Sequence, residues 1–139
     1  MQLTSCLNFD GNCREAFEFY AAVLGGKITA MIANSDAPQG DENPWAKERP
    51  DKIMHAWLQI DDQALMGNDC PPQYLEPVGG FTVGIHVEDP AEARRIFDAL
   101  SEGGKITMPF GETFWSPAFG MATDRFGTPW LINTMQPQN

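Results

Sequence analysis

Two segments of the chain alternate apolar and polar residues with a period of two: LTSCLNF over residues 3–9 and FTVGIHV over residues 81–87. Alternation of this kind predicts a strand with one face against a core. The residues on the predicted core side are Leu7, Phe9, Ile85 and Val87. After each strand, apolar residues recur at helical spacing, as Ala16, Phe17, Tyr20, Val23 and Leu24 and again as Ala93, Ile96, Phe97 and Leu100. The pattern therefore predicts a strand followed by an amphipathic helix, twice along the chain.

The two strand–helix segments belong to an internal repeat. The string GGKIT occurs at residues 25–29 and again at residues 103–107, an offset of 78 residues. Aligned without gaps, residues 3–29 and 81–107 share eight identities in 27 positions. The period is longer than the roughly 20 to 50 residues of a solenoid unit. We therefore predict two fused halves, about 1–70 and 78–135, within one domain that spans residues 1–139.

Polar residues mark the start of each predicted helix, and glycines mark its end. Asn12 is followed by Glu15, and Asp89 is followed by Pro90 and Glu92, two arrangements that resemble a capping box. The Gly-Gly pair of each GGKIT string then stops the helix.

Three further strands are predicted in each half. In the first half they cover residues 27–33, 53–60 and 63–67, with a polar loop over residues 34–52. In the second half they cover residues 105–109, 119–123 and 129–134, with an aromatic loop over residues 110–118. Each half is thus a predicted βαβββ unit, which gives an α+β fold with two one-sided sheets. Two such sheets set side by side would curve around a shared cleft, the natural place for a ligand.

The composition narrows the possible partners. A chain of 139 residues with 42% hydrophobic and 20% charged residues is typical of one folded domain. Nineteen acidic and nine basic residues give a net charge of -10, which disfavours nucleic acid and anionic membrane surfaces. Because the sequence has neither an apolar run of about 18 residues nor a signal-peptide pattern, we expect a cytoplasmic protein without a membrane span. Cys6, Cys13 and Cys70 form no CxxC pair, so reduced thiols are expected.

Three motifs resemble one known family: LNFDGNCREAFEFY near the start, IMHAWLQI with LMGND in the middle, and ETFWSPAFGMATDRFGTPWLIN near the end. With the paired βαβββ halves, they resemble the vicinal oxygen chelate (glyoxalase/bleomycin-resistance) superfamily, and within it the PhnB-like, 3-demethylubiquinone methyltransferase-like branch. The resemblance implies the paired-module fold and a homodimer. It leaves the reaction open, because members include isomerases, ring-cleaving dioxygenases, thiol transferases and antibiotic-binding proteins. A methyltransferase site is not predicted, because neither half has a glycine-rich turn in an alternating parallel sheet.

The resemblance also implies where a metal would bind. Metal-dependent members place ligands on the first strand of each half and on the last hairpin strand, because a divalent ion needs several nitrogen or oxygen donors at about 2.0–2.5 Å. In this chain those positions fall on Thr4, Thr82, Met66 and Leu131. None of these is a usual ligand of a hard cation, so we predict no metal site of the usual kind and no cofactor.

The chain has two histidines, His55 and His86. One expectation is that each makes structural hydrogen bonds. The alternative is a relocated metal site, completed by Glu112, Glu88 or a thiol. Alternation along the strands places His86 toward the cleft and puts His55 on the same face as Trp57. His55 is the first candidate for a general base, because an imidazole titrates near neutral pH.

Six aromatic residues fall within 21 positions: Phe110, Phe114, Trp115, Phe119, Phe126 and Trp130. Some of them must belong to the core. On one hypothesis, the segment GETFWSP forms a wall of an apolar pocket that carries Glu112 as a single acid. Burial among the rings would then raise the pKa of Glu112 and make it a proton donor or acceptor. The alternative role of Glu112 is to cap a backbone amide.

Two further features have alternative interpretations. The loop over residues 34–52 is longer than an ordinary connection and contains Trp45, which is typical of a lid or a dimer arm but also of an unstructured loop. Cys13 lies where a helix dipole would favour its thiolate, although a small residue near a helix cap is the simpler interpretation.

Two functional hypotheses follow. The first is a metal-free protein that binds an aromatic or apolar organic molecule. Its predicted ligand-binding residues are Trp57, Met66, Thr82, His86, Phe114 and Trp115, and its candidate catalytic groups are His55 and Glu112. The alternative is a metal-dependent lyase, isomerase or dioxygenase of the glyoxalase kind that uses both histidines and Glu112. A third possibility, an interaction module, rests on Trp45 alone. Because the usual metal ligands are missing, the sequence favours the first hypothesis.

Overall fold

The computed structural model describes residues 1–37 and 44–135, apart from the side chain of Trp45. Internal contacts divide the chain into two units, Met1–Glu76 and Pro77–Asn139, which we call the first half and the second half. Among the described residues, no helix has the length and apolar character required to cross a membrane.

The first half contains a four-stranded sheet. Its strands are β1 (Ser5–Phe9), β2 (Lys27–Ala33), β3 (Ile53–Ile60) and β4 (Gln63–Asp69), and its helices are α1 (Cys13–Leu24) and the short α2 (Pro44–Glu48). The strand order is β1-β4-β3-β2, with β1 parallel to β4 and the other pairs antiparallel. The predicted succession of elements is confirmed, although β4 ends at Asp69 rather than at residue 67.

The second half repeats this topology. Its strands are β5 (Val83–Val87), β6 (Lys105–Gly111), β7 (Phe119–Thr123) and β8 (Pro129–Thr134), and its helix is α3 (Pro90–Ser101). The order is β5-β8-β7-β6, again with one parallel pair, β5 and β8. Strand β6 continues to Gly111, past the predicted end at residue 109. The predicted α+β architecture of paired βαβββ units is therefore confirmed.

Helix α1 packs its apolar side against the sheet of the first half. Phe17 lies over Gly67 of β4, where an added Cβ would come within 2.6 Å of the Phe17 ring. Phe9 meets the same ring edge-on, at 6.1 Å between centroids. Leu7 and Phe9 are buried, as the alternation predicted. Burial of each such side chain stabilises the fold by roughly 1.5–3 kcal/mol, so these contacts fix which face of the sheet the helix covers.

Helix α3 packs in the same way in the second half. Phe97 lies over Gly120 of β7, where an added Cβ would approach its ring to 2.8 Å. Trp130 and Ile132 of β8 are buried on the same side of the sheet. The predicted core residues of β5, Ile85 and Val87, are only half-buried.

The two main helices begin differently. Within the described residues, the Asn12 side chain makes no capping hydrogen bond, so that prediction is wrong. Instead, the buried carboxylate of Asp69 accepts hydrogen bonds from the backbone N–H of Cys13 at 3.0 Å and from that of Ile53 at 2.8 Å. Asp89, by contrast, caps α3 as predicted, accepting a hydrogen bond from the Ala91 N–H at 2.9 Å. Asp69, distant in sequence but at the end of the neighbouring strand β4, thus performs in the first half what a local residue performs in the second.

The turn between β7 and β8 is organised by a buried carboxylate. Asp124 accepts hydrogen bonds from the backbone N–H groups of Phe126 at 2.9 Å and Thr128 at 3.0 Å. Its second oxygen accepts a hydrogen bond from Nε1 of Trp130 at 2.8 Å. Because the Trp130 side chain is almost fully buried, this bond joins the turn to the core of the second half.

The predicted loop over residues 34–52 is held at both ends. The backbone N–H groups of Asn34 and Ser35 donate to the carbonyl oxygens of Lys52 at 2.8 Å and Pro50 at 2.9 Å. The side chain of Asn34 donates to the carbonyl oxygen of Arg49 at 2.8 Å. Between these anchors lie a 3₁₀ turn over Asn34–Asp36 and the helix α2. Residues 38–43 and the Trp45 side chain, on which the lid and dimer-arm hypotheses depend, lie outside the described residues.

Candidate functional site

Each main sheet has one face that its own helix does not cover. In the first half, the strand register places the following side chains on this face, which we call the first open face: Cys6, Asn8, Ala30, Ile32, His55, Trp57, Gln59, Ala64, Met66 and Asn68. The opposite face carries the side chains that pack against α1. Because successive side chains of a strand point to opposite faces, the alternation that buries one set against α1 places the other set on the open face.

Apolar groups occupy the centre of the first open face. Trp57 of β3 and Met66 of β4 are direct cross-strand neighbours, and both are half-buried. The Trp57 ring is held by a hydrogen bond from its Nε1 to Oε1 of Gln59 at 2.9 Å. His55 lies on the same strand, with its ring centroid 6.3 Å from that of Trp57. The predicted pairing of His55 with Trp57 on one face is confirmed, and it sets an imidazole beside an oriented indole.

Cys6 also lies on the first open face. Its Sγ is 3.8 Å from Nδ2 of Asn68, and the residue is exposed. Partial burial of the thiol, and to a lesser extent Cys70 nearby, raise the pKa of Cys6. A raised pKa disfavours the thiolate, so these surroundings do not activate Cys6 as a nucleophile.

Cys13, the other thiol considered in the sequence, is a buried structural residue. Burial above all, and then the neighbouring carboxylate of Asp69, raise the pKa of Cys13 to about 12. These effects exceed any contribution of the helix dipole toward the thiolate. Cys13 therefore fits the small-residue interpretation.

The face of the second sheet opposite α3, which we call the second open face, carries both polar and apolar groups. Its side chains are those of His86, Met108, Phe119, Met121, Leu131 and Asn133, with Gly84 in the same register. Nδ1 of His86 and Nδ2 of Asn133 are 3.2 Å apart. An imidazole is therefore paired with a carboxamide at one edge of this face.

The six clustered aromatic residues divide between the two sides of the second sheet. Phe110 packs on Phe97 of α3, with 5.2 Å between ring centroids, so it belongs to the core side with Trp130. On the other side, Trp115 stands edge-to-face on Phe119 at 5.5 Å, and Phe114 on Trp115 at 4.8 Å. The sixth, Phe126, lies in the β7–β8 turn under the guanidinium of Arg125. Only the chain of rings from Phe119 outward is available to line a site.

A compact turn presents the outer two rings. The hydroxyl of the buried Ser116 lies 2.9 Å from the carbonyl oxygen of Ala118 and 3.1 Å from that of Thr134, and the Thr113 N–H donates to the Ser116 carbonyl at 2.9 Å. Trp115 is left 50% exposed and Phe114 95% exposed. The wall of aromatic groups is thus attached to the sheet through the buried Ser116.

Glu112 does not have the surroundings that the sequence suggested. It is exposed at the end of β6 rather than buried among aromatic rings. The prediction of a buried acid is therefore wrong. Strand β6 continues to Gly111, so Glu112 follows directly after the strand and not within a cluster of rings.

The positions at which the family resemblance implies metal ligands carry two threonines, a methionine and a leucine here, none of them a usual ligand of a hard cation. Thr4 and Thr82 immediately precede β1 and β5, and Met66 and Leu131 lie on the open faces. Within residues 1–37 and 44–135, no three His, Cys, Asp or Glu side chains are grouped so that they could hold a metal ion. His55 and His86 belong to different halves.

Two asparagines of the open faces were not singled out from the sequence. Asn68 and Asn133 hold the same place in the two halves, since each is the cross-strand neighbour of the polar residue on the first strand, Asn8 and His86 respectively. The signal was present in the alternation, because Asn68 is two residues after Met66 and Asn133 is two residues after Leu131. Both asparagines therefore lie on the face that the sequence analysis assigned to ligand binding.

Comparison with known proteins supports one family. The model of the 3-demethylubiquinone-9 3-methyltransferase family matches residues 1–133. Protein YjdN of Escherichia coli (strain K12) is 35% identical over 144 residues, covering 99% of this chain and 98% of YjdN. The crystal structure of protein PA1353 from Pseudomonas aeruginosa is 45% identical, with a TM-score of 0.88 and 99% of each chain covered.

A more distant structure extends the likeness of fold. A glyoxalase/bleomycin resistance protein from Albidiferax ferrireducens T118 shares 14% identity with this chain and a TM-score of 0.61, over 98% of this chain and 99% of the other. At this identity the likeness concerns the fold alone. It agrees with the paired βαβββ topology of this chain. The family match and the similarity to YjdN show the family itself: the chain belongs to the 3-demethylubiquinone-9 3-methyltransferase family.

Proposed function

We propose that this protein binds a small organic molecule with an apolar or aromatic body on its open faces, without a resident metal. The observation that carries the proposal is the pair formed by Trp57 and Met66, two large apolar side chains that face away from α1 and remain partly accessible. The core side chains of this sheet lie on the other face, where they pack against α1. Apolar side chains kept at an accessible sheet surface are typical of a binding site.

The chemistry of this pair suits a flat ligand. The indole of Trp57 is fixed by its hydrogen bond to Gln59, so little conformational freedom remains to be lost when a ring packs on it. The flexible thioether of Met66 adapts to irregular shapes and makes favourable contacts with aromatic rings. Ile32, partly exposed on β2, extends the apolar surface. The first open face thus provides one rigid and one adaptable contact.

The second half supports the same class of ligand. Trp115 stands on Phe119 and carries Phe114 at its outer side. Aromatic groups that remain so exposed lose solvent contact when an apolar molecule binds, which is favourable by about 25 cal/mol per Å². Thr82, just before β5, and His86, near the end of β5, supply polar groups, as in the sequence-based hypothesis.

The alternative is an enzyme of the glyoxalase kind, and one observation favours it. His55 is half-buried beside Trp57, where an imidazole is placed to exchange a proton with a ligand on the same face. The side chains at the usual metal positions argue against metal-dependent chemistry. Methyl transfer is not proposed, because the turns between β1 and α1 and between β5 and α3 are not glycine-rich. We further propose a homodimer, as the family resemblance implies, and a location in the cytoplasm.

Fluorescence of N-phenyl-1-naphthylamine, a neutral apolar probe excited directly, tests the binding proposal. We expect saturable binding that Trp57→Ala and Trp115→Ala each weaken severalfold. His55→Ala should leave the affinity largely unchanged. Tyr74→Ala is the matched control, because it removes an exposed aromatic side chain that lies outside both open faces. Equal weakening by all three aromatic substitutions, or no saturable binding, would contradict the proposal.

Elemental analysis decides whether a metal belongs to the site. The untagged protein and a His55→Ala/His86→Ala double variant would be incubated with Zn, Mn, Fe, Ni and Co and then desalted. Stoichiometric metal retained by the wild type and lost in the double variant would overturn the metal-free proposal. It would direct the search toward glyoxalase-type substrates, with turnover lost in His55→Ala while the fold is preserved.

A further inference from the structure

On the second open face, the side chain of Asn133 contacts the imidazole of His86 and thereby determines which ring nitrogen carries the proton. We infer that Asn133 holds neutral His86 as the Nε2–H tautomer, so that His86 donates a hydrogen bond to a carbonyl or similar acceptor on a ring-containing ligand bound at this face. The inference rests on the proposed function and specifies the class of ligand.

The geometry of the pair sets the tautomer. Nδ2 of Asn133 lies 3.2 Å from Nδ1 of His86. A carboxamide nitrogen only donates, so Nδ1 must accept and the single proton of the neutral ring resides on Nε2. In the reverse amide orientation, Nδ2 would occupy the place of Oδ1. That oxygen is buried and has no hydrogen-bond partner among the described residues.

The two amide orientations differ in cost. A buried carbonyl oxygen without a partner is tolerated more often than a buried N–H without an acceptor. The reverse orientation would bury an NH₂ group where Oδ1 now lies. The orientation with Nδ2 facing the imidazole is therefore the one that this site favours, and it defines His86 as an acceptor at Nδ1 and a donor at Nε2.

Gly84 provides the space in which the imidazole lies. A Cβ added to Gly84 would come within 3.2 Å of Nε2 of His86 and 3.8 Å of Cδ2 of Leu131. The ring therefore lies low over β5, with its donor nitrogen over Gly84, whose cross-strand neighbour on β8 is Leu131. An acceptor that meets this nitrogen binds on the part of the face that also carries an apolar side chain.

Aromatic surface lies on the other side of the asparagine. Phe119 is the antiparallel cross-strand neighbour of Asn133, and Trp115 stands on Phe119 at 5.5 Å. Across the second open face, the imidazole of His86 is therefore followed by the carboxamide of Asn133 and then by the aromatic rings of Phe119 and Trp115. The net charge of -10 disfavours an anionic ligand, so the complementary molecule is a neutral ring that carries a carbonyl group.

A matched pair of probes tests this recognition. 1-Acetylnaphthalene and 1-ethylnaphthalene share a ring system and nearly the same size, but only the first presents a carbonyl acceptor. We expect the acetyl compound to bind about 3- to 10-fold more tightly, the range of one neutral hydrogen bond. His86→Ala should abolish this preference, and Asn133→Leu should reduce it. Asp62→Ala, which removes an exposed side chain from a turn outside both open faces, should preserve it.

Nitrogen-15 NMR of the imidazoles tests the tautomer without any ligand. At pH 8, the wild type should show His86 as the Nε2–H form, with His55→Gln used to assign the two histidines. Asn133→Leu should shift His86 toward a mixture of both forms. A predominantly Nδ1–H His86 in the wild type would overturn the inference, whether or not Asn133→Leu folds.

The outcomes separate this inference from the proposed function. Equal binding of both naphthalenes would overturn the inference and leave the apolar binding site standing. Failure of both to bind would overturn the proposed function and the ligand class with it. Acetyl preference that persists in His86→Ala would place the donor elsewhere and would likewise overturn the inference.

Discussion

Replacement of Asp124 by alanine should destabilise the protein without touching either open face. The carboxylate is buried and accepts three hydrogen bonds, from the N–H groups of Phe126 and Thr128 and from Nε1 of Trp130. Alanine offers none of these acceptors. The backbone donors would lose the group that shapes the β7–β8 turn, and the buried indole N–H would lose its carboxylate acceptor.

The loss in the free energy of unfolding depends on how many of the three donors water can reach after the substitution. Phe126 is half-buried, so its N–H can be hydrated, whereas Thr128 and Trp130 are buried. Two buried donors without acceptors, at about 1–3 kcal/mol each, predict a loss of about 3–4 kcal/mol in the free energy of unfolding. Asp124→Asn retains an acceptor for the backbone groups but opposes an amide NH₂ to the indole N–H, so it should cost about 1–2 kcal/mol.

Urea denaturation followed by circular dichroism measures both effects. With a slope of about 2 kcal/mol/M, the Asp124→Ala midpoint should fall by about 1.5–2 M. Asp62→Ala is the control, because it removes an exposed carboxylate from the hairpin turn of the first half, and it should change stability by less than about 0.5 kcal/mol. If the Asp124→Ala midpoint stayed within about 0.5 M of the wild type, the loss would be about 1 kcal/mol or less and the reasoning would be refuted.

Three further predictions concern the first half. Gly67→Ala should destabilise it by about 1–3 kcal/mol in urea titrations, because the new methyl group meets the buried Phe17 ring at 2.6 Å, while Gly111→Ala, with open space around it, should be tolerated. Iodoacetamide followed by peptide mapping should modify Cys6 in the native state but Cys13 only after unfolding, and early labelling of Cys13 would contradict its burial. Because burial raises the pKa of Cys13 to about 12, the unfolded chain loses this proton first as the pH rises above about 9. The free energy of unfolding should then fall by up to about 1.4 kcal/mol per pH unit up to about pH 12, and an identical slope in Cys13→Ala would exclude this cause.

Local sequence patterns were sufficient to predict the elements of the fold. The period-two alternation in residues 3–9 and 81–87 and the helical spacing after each segment correspond to β1, α1, β5 and α3. The GGKIT repeat then identified the two equivalent halves. These predictions succeeded because each depends on neighbours within a few residues, where the geometry of strand and helix imposes the period.

The start of α1 could not be predicted in the same way. Asp69 is 56 residues away from Cys13 along the chain, and only the parallel pairing of β1 with β4 brings them together. The local sequence predicted Asn12 as the cap of α1, but the carboxylate of Asp69 accepts the hydrogen bond from the start of the helix instead. Sequence spacing cannot reveal such a substitution of a distant group for a near one.

The candidate site shows a similar limit. The register shifts in β6 between Ile106 and Gly111 interrupt the alternation that would otherwise assign each side chain to a face. Phe110 consequently joins the core under α3, and Glu112 lies exposed. Trp57 and Met66 pair across β3 and β4, where the register has no shift, and they lie on the face opposite α1, as expected from the alternation. The alternation of residues thus predicts the face of each side chain where the strand register has no shift, and it fails where the register shifts.

The different starts of the two helices have a consequence for the order of folding. The start of α3 is capped by Asp89, immediately before the helix, so this hydrogen bond can form while the rest of the chain is still disordered. The start of α1 depends on Asp69 and therefore on closure of a long loop, whose entropic cost precedes any gain from the contact. The two helix starts would then form at different times during synthesis. Although the first half is synthesised first, the start of α1 is stabilised only after β4, the last strand of that half, has been made and has paired with β1.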